Sequence, residues 1–218
     1  SYYIAEHKTV STPFMVNLDG FILTHTYETV DVPSEKQADE YLPPYDTENR
    51  LDLDNPKNLA FSAGPEHNYI FKYKEHKAML NAVKVISEAE ERFEKIFGRH
   101  YTGLVEKYRT DDADYIIITL GSISGLCRET ADILRNKGIK AGVLRLRYLR
   151  PFPADEISEA VRNAKAVAVL EKDISFGSEG TVFTNVNSAL YSAGLSIPSY
   201  NFIGGLGGRK ISKHEIKE

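Results

Sequence analysis

Two glycine-bearing turns and a single cysteine are the positions where residue type and spacing suggest chemistry. Gly121-Ser-Ile-Ser-Gly125 follows the apolar run Tyr115–Leu120 and opens a helical pattern. The first amides of a helix have no intrahelical acceptor, so such a turn can cradle a phosphate. A dinucleotide fingerprint needs three glycines at fixed spacing and an acid at the end of the second strand. Here the third glycine is missing, and the second strand ends in Arg145 and Arg147. A nucleophile elbow is excluded too, because Ile123 stands at the serine position. The plain reading is a tight turn with Ser122 or Ser124 as helix cap. A small nucleotide-binding domain at Gly121–Gly125 stays open as an alternative.

Cys127 lies in the first turns of the same helix. A helix N-terminus lowers a thiol pKa, but no histidine is near in sequence, so a packed, inert cysteine is expected. One cysteine excludes an internal disulfide and iron–sulfur ligation by this chain alone. His7, His25, His67, His76, His100 and His214 are scattered, with no pair at i, i+4, so spacing offers no metal site. Gly177-Ser-Glu-Gly180 precedes a helix and reads as an anion loop or as a loop that lets the helix dock closely. Gly204-Gly-Leu-Gly-Gly208 has no strand–helix–strand unit after it, so it is not a Rossmann loop. Close approach of a neighbouring chain is expected there, with Arg209 pairing to an acid across the contact.

The element that must position these groups runs from Tyr115 to Glu171. Tyr115-Ile-Ile-Ile-Thr-Leu120, Ala141-Gly-Val-Leu-Arg-Leu146 and Ala166-Val-Ala-Val-Leu170 are short apolar runs separated by helical patterns at Ser122–Lys137 and Asp155–Arg162. Continuous apolar runs predict strands covered on both faces, and alternation with helices predicts a parallel sheet. Thr181–Tyr191 adds a helix and Ile197–Ile203 a strand.

Before this unit, Ser1–Lys8 reads as the end of a helix, which suggests a fragment of a longer polypeptide. Pro13–Leu18 reads as a strand and Asp19-Gly20 as a turn. From Asp31 to Tyr73 five prolines fall among Asp, Asn and Glu without a period, predicting an extended connector. Tyr41, Leu42, Tyr45, Leu51, Leu53, Leu59 and Phe61 are its candidate anchors. Glu75–Phe97 is the longest helical pattern, with Met79, Leu80, Val83, Ile86, Phe93, Ile96 and Phe97 as an apolar stripe and Gly98 as its stop. Tyr101–Asp114 reads as a linker, and Ile211–Glu218 as a short polar terminal helix or tail.

The formal net charge is −4, with Lys and Arg spread along the chain, which gives no electrostatic case for nucleic acid. No run approaches the roughly 20 apolar residues a membrane span needs, and no signal peptide is visible. A soluble, cytoplasmic protein is expected.

With these segments placed, the chain resembles the α subunit of the 2-oxoacid:ferredoxin oxidoreductases, the pyruvate enzyme above all. The resemblance rests on Asp19-Gly-Phe-Ile-Leu-Thr-His25, Phe97-Gly-Arg99, Asp112-Ala113, Gly121-Ser122, Arg150-Pro-Phe-Pro153, Leu170-Glu171 and Gly205-Leu-Gly-Gly-Arg209, in that order. It runs from Ile4 to Ile216.

It implies a three-layer αβα, transketolase C-terminal-like domain with a mainly parallel five-stranded sheet. That domain would fill residues 75–218, after a connector at 36–74. Residues 1–35 would close a thiamine-type pyrimidine domain. It implies thiamine diphosphate, Mg and iron–sulfur clusters in the assembled enzyme, none bound by this chain alone. Partners would be β, γ and ferredoxin-like δ subunits, with ferredoxin and CoA as substrates and dimerisation through the αβα domain. The substrate would be pyruvate, with branched-chain 2-oxoacids or 2-oxoglutarate as alternatives. The family's thiamine-facing residues would lie upstream of Ser1, leaving no catalytic residue and no metal ligand here. Asp19, Gly20, Phe21, Thr24 and His25 would form a supporting loop near the active-site interface. A non-catalytic, transketolase-like interaction module is the rival from another class.

Overall fold

The structure is a computed structural model that describes residues 1–60 and 62–217. Phe61, one expected anchor, and Glu218, the end of the expected tail, lie outside the described residues. The first half carries α1 (Tyr2–Ala5), α2 (Ile22–His25), α3 (Glu35–Tyr41) and α4 (Pro65–Phe97). The chain divides into two compact units.

The first unit comprises Ser1–Asn17 and His25–Tyr101 and is built on α4. α4 starts ten residues before the expected Glu75, because Pro65 takes the first helical position after Gly64. It ends at Gly98 in the left-handed region, as its sequence predicts. Its buried side is Ala82, Val85, Ile86 and Ala89, whereas Leu80 and Val83 of the expected stripe are exposed. Spacings of three and four fit more than one helix face, and the small Ala89 marks the one that docks. There the Tyr41 hydroxyl donates to the Ala89 carbonyl at 3.2 Å, and Arg92 Nε donates to the Tyr41 carbonyl at 2.9 Å. Tyr3, Tyr41, Phe93 and Phe97 stack around this point, with neighbouring centroids 4.3–5.7 Å apart.

The stretch read as a structureless connector contains α3. Its start is a capping box, Ser34 accepting from the Gln37 amide while the Gln37 side chain accepts from the Ser34 amide. Of the described anchors, Tyr41 and Leu42 are half-buried; Tyr45, Leu51, Leu53 and Leu59 are exposed. Pro13–Leu18 is not a strand. An apolar run becomes a strand only with a ladder to join, and among the described residues none pairs with it.

The second unit is Leu18–Thr24 together with the chain from Thr102 onward. It holds β1 (Val105–Tyr108), β2 (Tyr115–Leu120), α5 (Ile123–Arg135), β3 (Ala141–Leu146), α6 (Ala154–Val161), β4 (Ala166–Glu171), α7 (Thr181–Ser192), β5 (Ser199–Ile203) and α8 (Lys213–Lys217). The sheet has five strands in the order β1-β3-β2-β4-β5. β3, β2, β4 and β5 pair in parallel, but β1 joins β3 antiparallel, so the sheet is mixed rather than mainly parallel. β1 lies in the stretch read as a linker. Its four residues include Glu106, paired opposite Arg145, and so carry no apolar run.

Alternate residues of β2 serve opposite faces. Ile116 and Ile118 pack with Ile157 and Val161 of α6 and Val182, Val186 and Leu190 of α7. Ile117 faces Ile123, Cys127 and Ala131 of α5, with Ile216 of α8 against the same cluster. Helices thus cover both faces, giving the expected three layers.

Candidate functional site

Parallel pairing brings the ends of β2, β3, β4 and β5 to one edge. β2 and β4 are neighbours there, yet the helices that follow them leave for opposite faces. This divergence is the switch point at which open α/β sheets place ligands. In this chain the crevice holds a side chain of its own.

Gly121 turns the chain out of β2 at φ +70, and Ser122 begins the approach to α5. Asp19 reaches this turn from 103 residues away. Its carboxylate accepts the Ser122 amide at 3.0 Å and the Ser122 hydroxyl. Lys172, the first residue after β4, donates to Asp19 at 3.4 Å and to Ser122 Oγ at 3.3 Å. The Ser122 hydroxyl and amide, then Lys172, hold the Asp19 carboxyl below the ordinary aspartate value, against partial desolvation. The amide expected to cradle a phosphate therefore already serves a carboxylate. Neither expected serine cap forms: Ser122 makes no cap bond, and Ser124 Oγ donates to the Gly121 carbonyl at 2.8 Å.

The second helix N-terminus at this edge is filled in the same way. Glu171 closes β4 and is 1 % exposed. Its carboxylate accepts the Val182 amide at 2.8 Å, the Phe183 amide at 3.1 Å and Asn201 Nδ2 at 2.9 Å. Asn201 Oδ1 in turn accepts the Gly180 amide at 2.8 Å. A Cβ on Gly180 would stand 1.8 Å from Glu171 Oε1. Gly177–Gly180 is thus the close-docking loop of the two sequence readings. Burial pushes the Glu171 carboxyl above the ordinary glutamate value, while the Val182 and Phe183 amides and Asn201 pull the other way.

Of the loop residues singled out by sequence, Asp19 reaches Ser122 and Lys172. Gly20 meets nothing within 4 Å of where a Cβ would stand. Phe21 has φ +53 and is 80 % exposed. Thr24 donates to the Phe21 carbonyl at 3.4 Å, and exposed His25 ends α2. Cys127 is buried, and burial pushes its thiol up to about 12, so the inert reading stands. Arg209 pairs with Glu215 of this same chain at 2.8 Å.

Sequence reasoning missed Ser122 and Lys172 as partners of Asp19, and nothing local signals them. Glu171 had a weak signal, an acid placed directly at the end of an apolar run.

At the ligand edge Asp19 takes the Ser122 amide and Glu171 takes the Val182 and Phe183 amides, so these donors already serve the chain's own carboxylates. Among the described residues, no group of three or more His, Cys, Asp or Glu is placed to hold an ion. No helix among them is long and apolar enough to cross a membrane.

Two family descriptions match the chain. "Pyruvate flavodoxin/ferredoxin oxidoreductase, thiamine diP-bdg" covers residues 1–91, and "Pyruvate:ferredoxin oxidoreductase core domain II" covers residues 113–216. Pyruvate synthase subunit PorA of Methanothermobacter thermautotrophicus is 44 % identical over all of this chain and 56 % of its own length. PorA of Methanosarcina barkeri is 40 % identical over 99 % of the chain and 54 % of its length. Ketoisovalerate oxidoreductase subunit VorA of Pyrococcus abyssi is 39 % identical over 96 % of the chain and 53 % of its length. The chain spans about half the length of the curated relatives it matches.

Proposed function

The chain belongs to the pyruvate:ferredoxin oxidoreductase family, and from that premise we propose that it is part of the α subunit of a thiamine-diphosphate-dependent 2-oxoacid:ferredoxin oxidoreductase. The enzyme would oxidatively decarboxylate pyruvate to acetyl-CoA and pass the electrons to ferredoxin, in the cytoplasm. This chain's share is structural. The observation that carries this reading is the pair of self-filled helix N-termini at the sheet's ligand edge. Those amides already serve the chain's own carboxylates, which supports assigning thiamine diphosphate and Mg to other polypeptide of the assembly, and the single cysteine supports the same for the iron–sulfur clusters.

β, γ and ferredoxin-like δ subunits supply those groups. Edge strand β5 exposes Tyr200 and Phe202, which supports dimerisation through the αβα domain. Residues 1–35 close the thiamine-type pyrimidine domain, 36–74 are the connector, and 75–218 form the transketolase C-terminal-like domain with its leading helix. Asp19, Gly20, Phe21, Thr24 and His25 form a supporting loop at the active-site interface.

The test compares the chain alone with the chain assembled with its partner subunits, by CoA- and pyruvate-dependent viologen reduction. The assembly turns over and the chain alone does not; turnover by the isolated chain would refute the structural role. Calorimetry of the chain with thiamine diphosphate and magnesium shows no tight binding, and micromolar binding overturns the assignment. The similarity to a ketoisovalerate enzyme subunit at 39 % identity favours one second reading, a branched-chain 2-oxoacid substrate. Replacing pyruvate by 2-oxoisovalerate in the same assay separates the two.

A further inference from the structure

We propose that the outward stripe of α4 is a docking face for an amphipathic helix of a partner polypeptide whose apolar seam is flanked by carboxylates. The inference concerns the first compact unit and goes beyond the α-subunit reading, on which only the last of its tests rests.

α4 is 33 residues long, but its buried residues, Ala82, Val85, Ile86 and Ala89, all lie in its second half. Every residue from Pro65 to Lys77 is exposed, a stretch of about 20 Å at the rise of an α-helix. A helical segment this short is marginal in water by itself and draws its stability from packing an amphipathic face. Such a face is present. Tyr69, Tyr73, His76, Leu80 and Val83 recur at spacings of four, three, four and three. Tyr69, Tyr73, Leu80 and Val83 are 74, 53, 49 and 37 % exposed. At about 100° per residue the five fall within roughly 80° of one another, on the side opposite Ala82, Val85, Ile86 and Ala89. A narrow seam with alternating spacings of three and four is what one helix offers another.

Charge selects the occupant. The positions flanking the seam are Ile70, Lys72, Lys77, Met79, Lys84 and Ile86, with three lysines and no acid. Lys72 and Lys84 also reach Glu75 at 2.8 Å and Glu88 at 3.6 Å on the same helix. Lys77 lies over the Tyr73 ring at 5.6 Å. Pro65 to Lys84 holds four lysines and two glutamates, in a chain of formal net charge −4. A second copy would set lysine flanks against lysine flanks in either orientation, which is destabilising. A helix with Glu or Asp at its flanking positions pairs with all three lysines.

The probe is a synthetic amphipathic helix of roughly three heptads, with a leucine seam, glutamate flanks and a fluorescent label, beside a version with lysine flanks. The full chain raises the anisotropy of the glutamate peptide and binds the lysine peptide about tenfold more weakly, three exposed ion pairs being worth about that much. Equal binding of the two, or binding of neither, overturns the proposal. Leu80→Glu, at an exposed position, keeps the far-UV circular dichroism and abolishes binding. The triple reversal Lys72→Glu, Lys77→Glu, Lys84→Glu inverts the preference between the peptides; an unchanged preference overturns selection by charge. Cys127 is buried, so His76→Cys supplies one accessible thiol in the seam. It reacts with iodoacetamide in the chain alone and is protected about tenfold in the assembled oxidoreductase. A thiol unreactive in the chain alone, or equally reactive in both, overturns the docking face, and a disulfide joining two copies of the His76→Cys chain overturns the acidic partner in favour of a second copy. An assembly without 2-oxoacid-dependent activity refutes the functional reading instead, and the peptide measurements still decide the seam.

Discussion

Replacing Gly180 by alanine tests the self-filled edge most sharply. Gly180 precedes α7 at φ −67 and ψ 144, which alanine adopts without strain, so backbone conformation contributes nothing to the cost. The new methyl would stand 1.8 Å from Glu171 Oε1 and 2.1 Å from its carboxyl carbon. Contacts of this kind relax only near 3.5 Å, so the carboxylate must withdraw by roughly 1.5 Å. Its bonds to Val182, Phe183 and Asn201, now at 2.8, 3.1 and 2.9 Å, do not survive that shift. Buried donors left without an acceptor cost about 1–3 kcal/mol each, and the overpacking itself about 1–3 kcal/mol. Gly180→Ala therefore loses about 4 kcal/mol or more in urea unfolding followed by circular dichroism. Glu171→Ala strands the same three donors without the overlap and loses about 3 kcal/mol or more. The double variant costs little more than Glu171→Ala, so the coupling energy is about as large as the Gly180→Ala loss itself, about 4 kcal/mol. A loss below about 1 kcal/mol in Gly180→Ala, or two losses that add within about 0.5 kcal/mol, refutes the account.

The same geometry sets four further outcomes. Cys127, buried with its thiol pushed up to about 12, resists iodoacetamide at pH 8 until denaturant unfolds the chain; native-state labelling contradicts it. Gly142→Ala in β3 sets a methyl 2.6 Å from the Arg109 carbonyl and 3.0 Å from Ala113 Cβ, and loses about 1–3 kcal/mol on urea unfolding. The stability advantage of wild type over Asp19→Asn is present above the ordinary aspartate pKa of about 3.9 and shrinks as pH falls below it, because the folded value is lowered. The wild-type advantage over Glu171→Gln runs the other way: it is full below about pH 4.3 and declines as pH rises through the raised folded value. Urea titrations at stepped pH read both.

The range of each interaction decides whether the sequence shows it or hides it. β2, β3 and β4 are legible because two-sided burial writes a continuous apolar run into each, and α5 and α7 because they pack one face. α3 was hidden among prolines, although Ser34 and Gln37 stand at capping-box spacing. β1 was hidden because an edge strand can carry charge. Glu106 pairs with Arg145 at 3.2 Å and also with Arg128. The arginines at the end of β3 told against a dinucleotide site, and Arg145 binds an edge strand instead. Pro13–Leu18 shows the opposite failure, since β composition without a ladder makes no strand. Asp19 is the extreme case. Its partners lie 103 and 153 residues away, and no periodicity connects them.

The two carboxylates at the ligand edge explain why these amides are closed to a phosphate in a fold suited to binding one. In both cases a helix start offers amides that need an acceptor, and the chain supplies it. Glu171 arrives from the strand itself, so the amides of α7 are filled within the sheet domain's own core. Asp19 arrives from outside the consecutive strand–helix series, on a segment whose flanks, Asn17 and His25, belong to the other compact unit. The first arrangement fixes α7 against β4 and is a matter of stability. The second ties Asp19 to Ser122 and Lys172 at the exits of two interior strands.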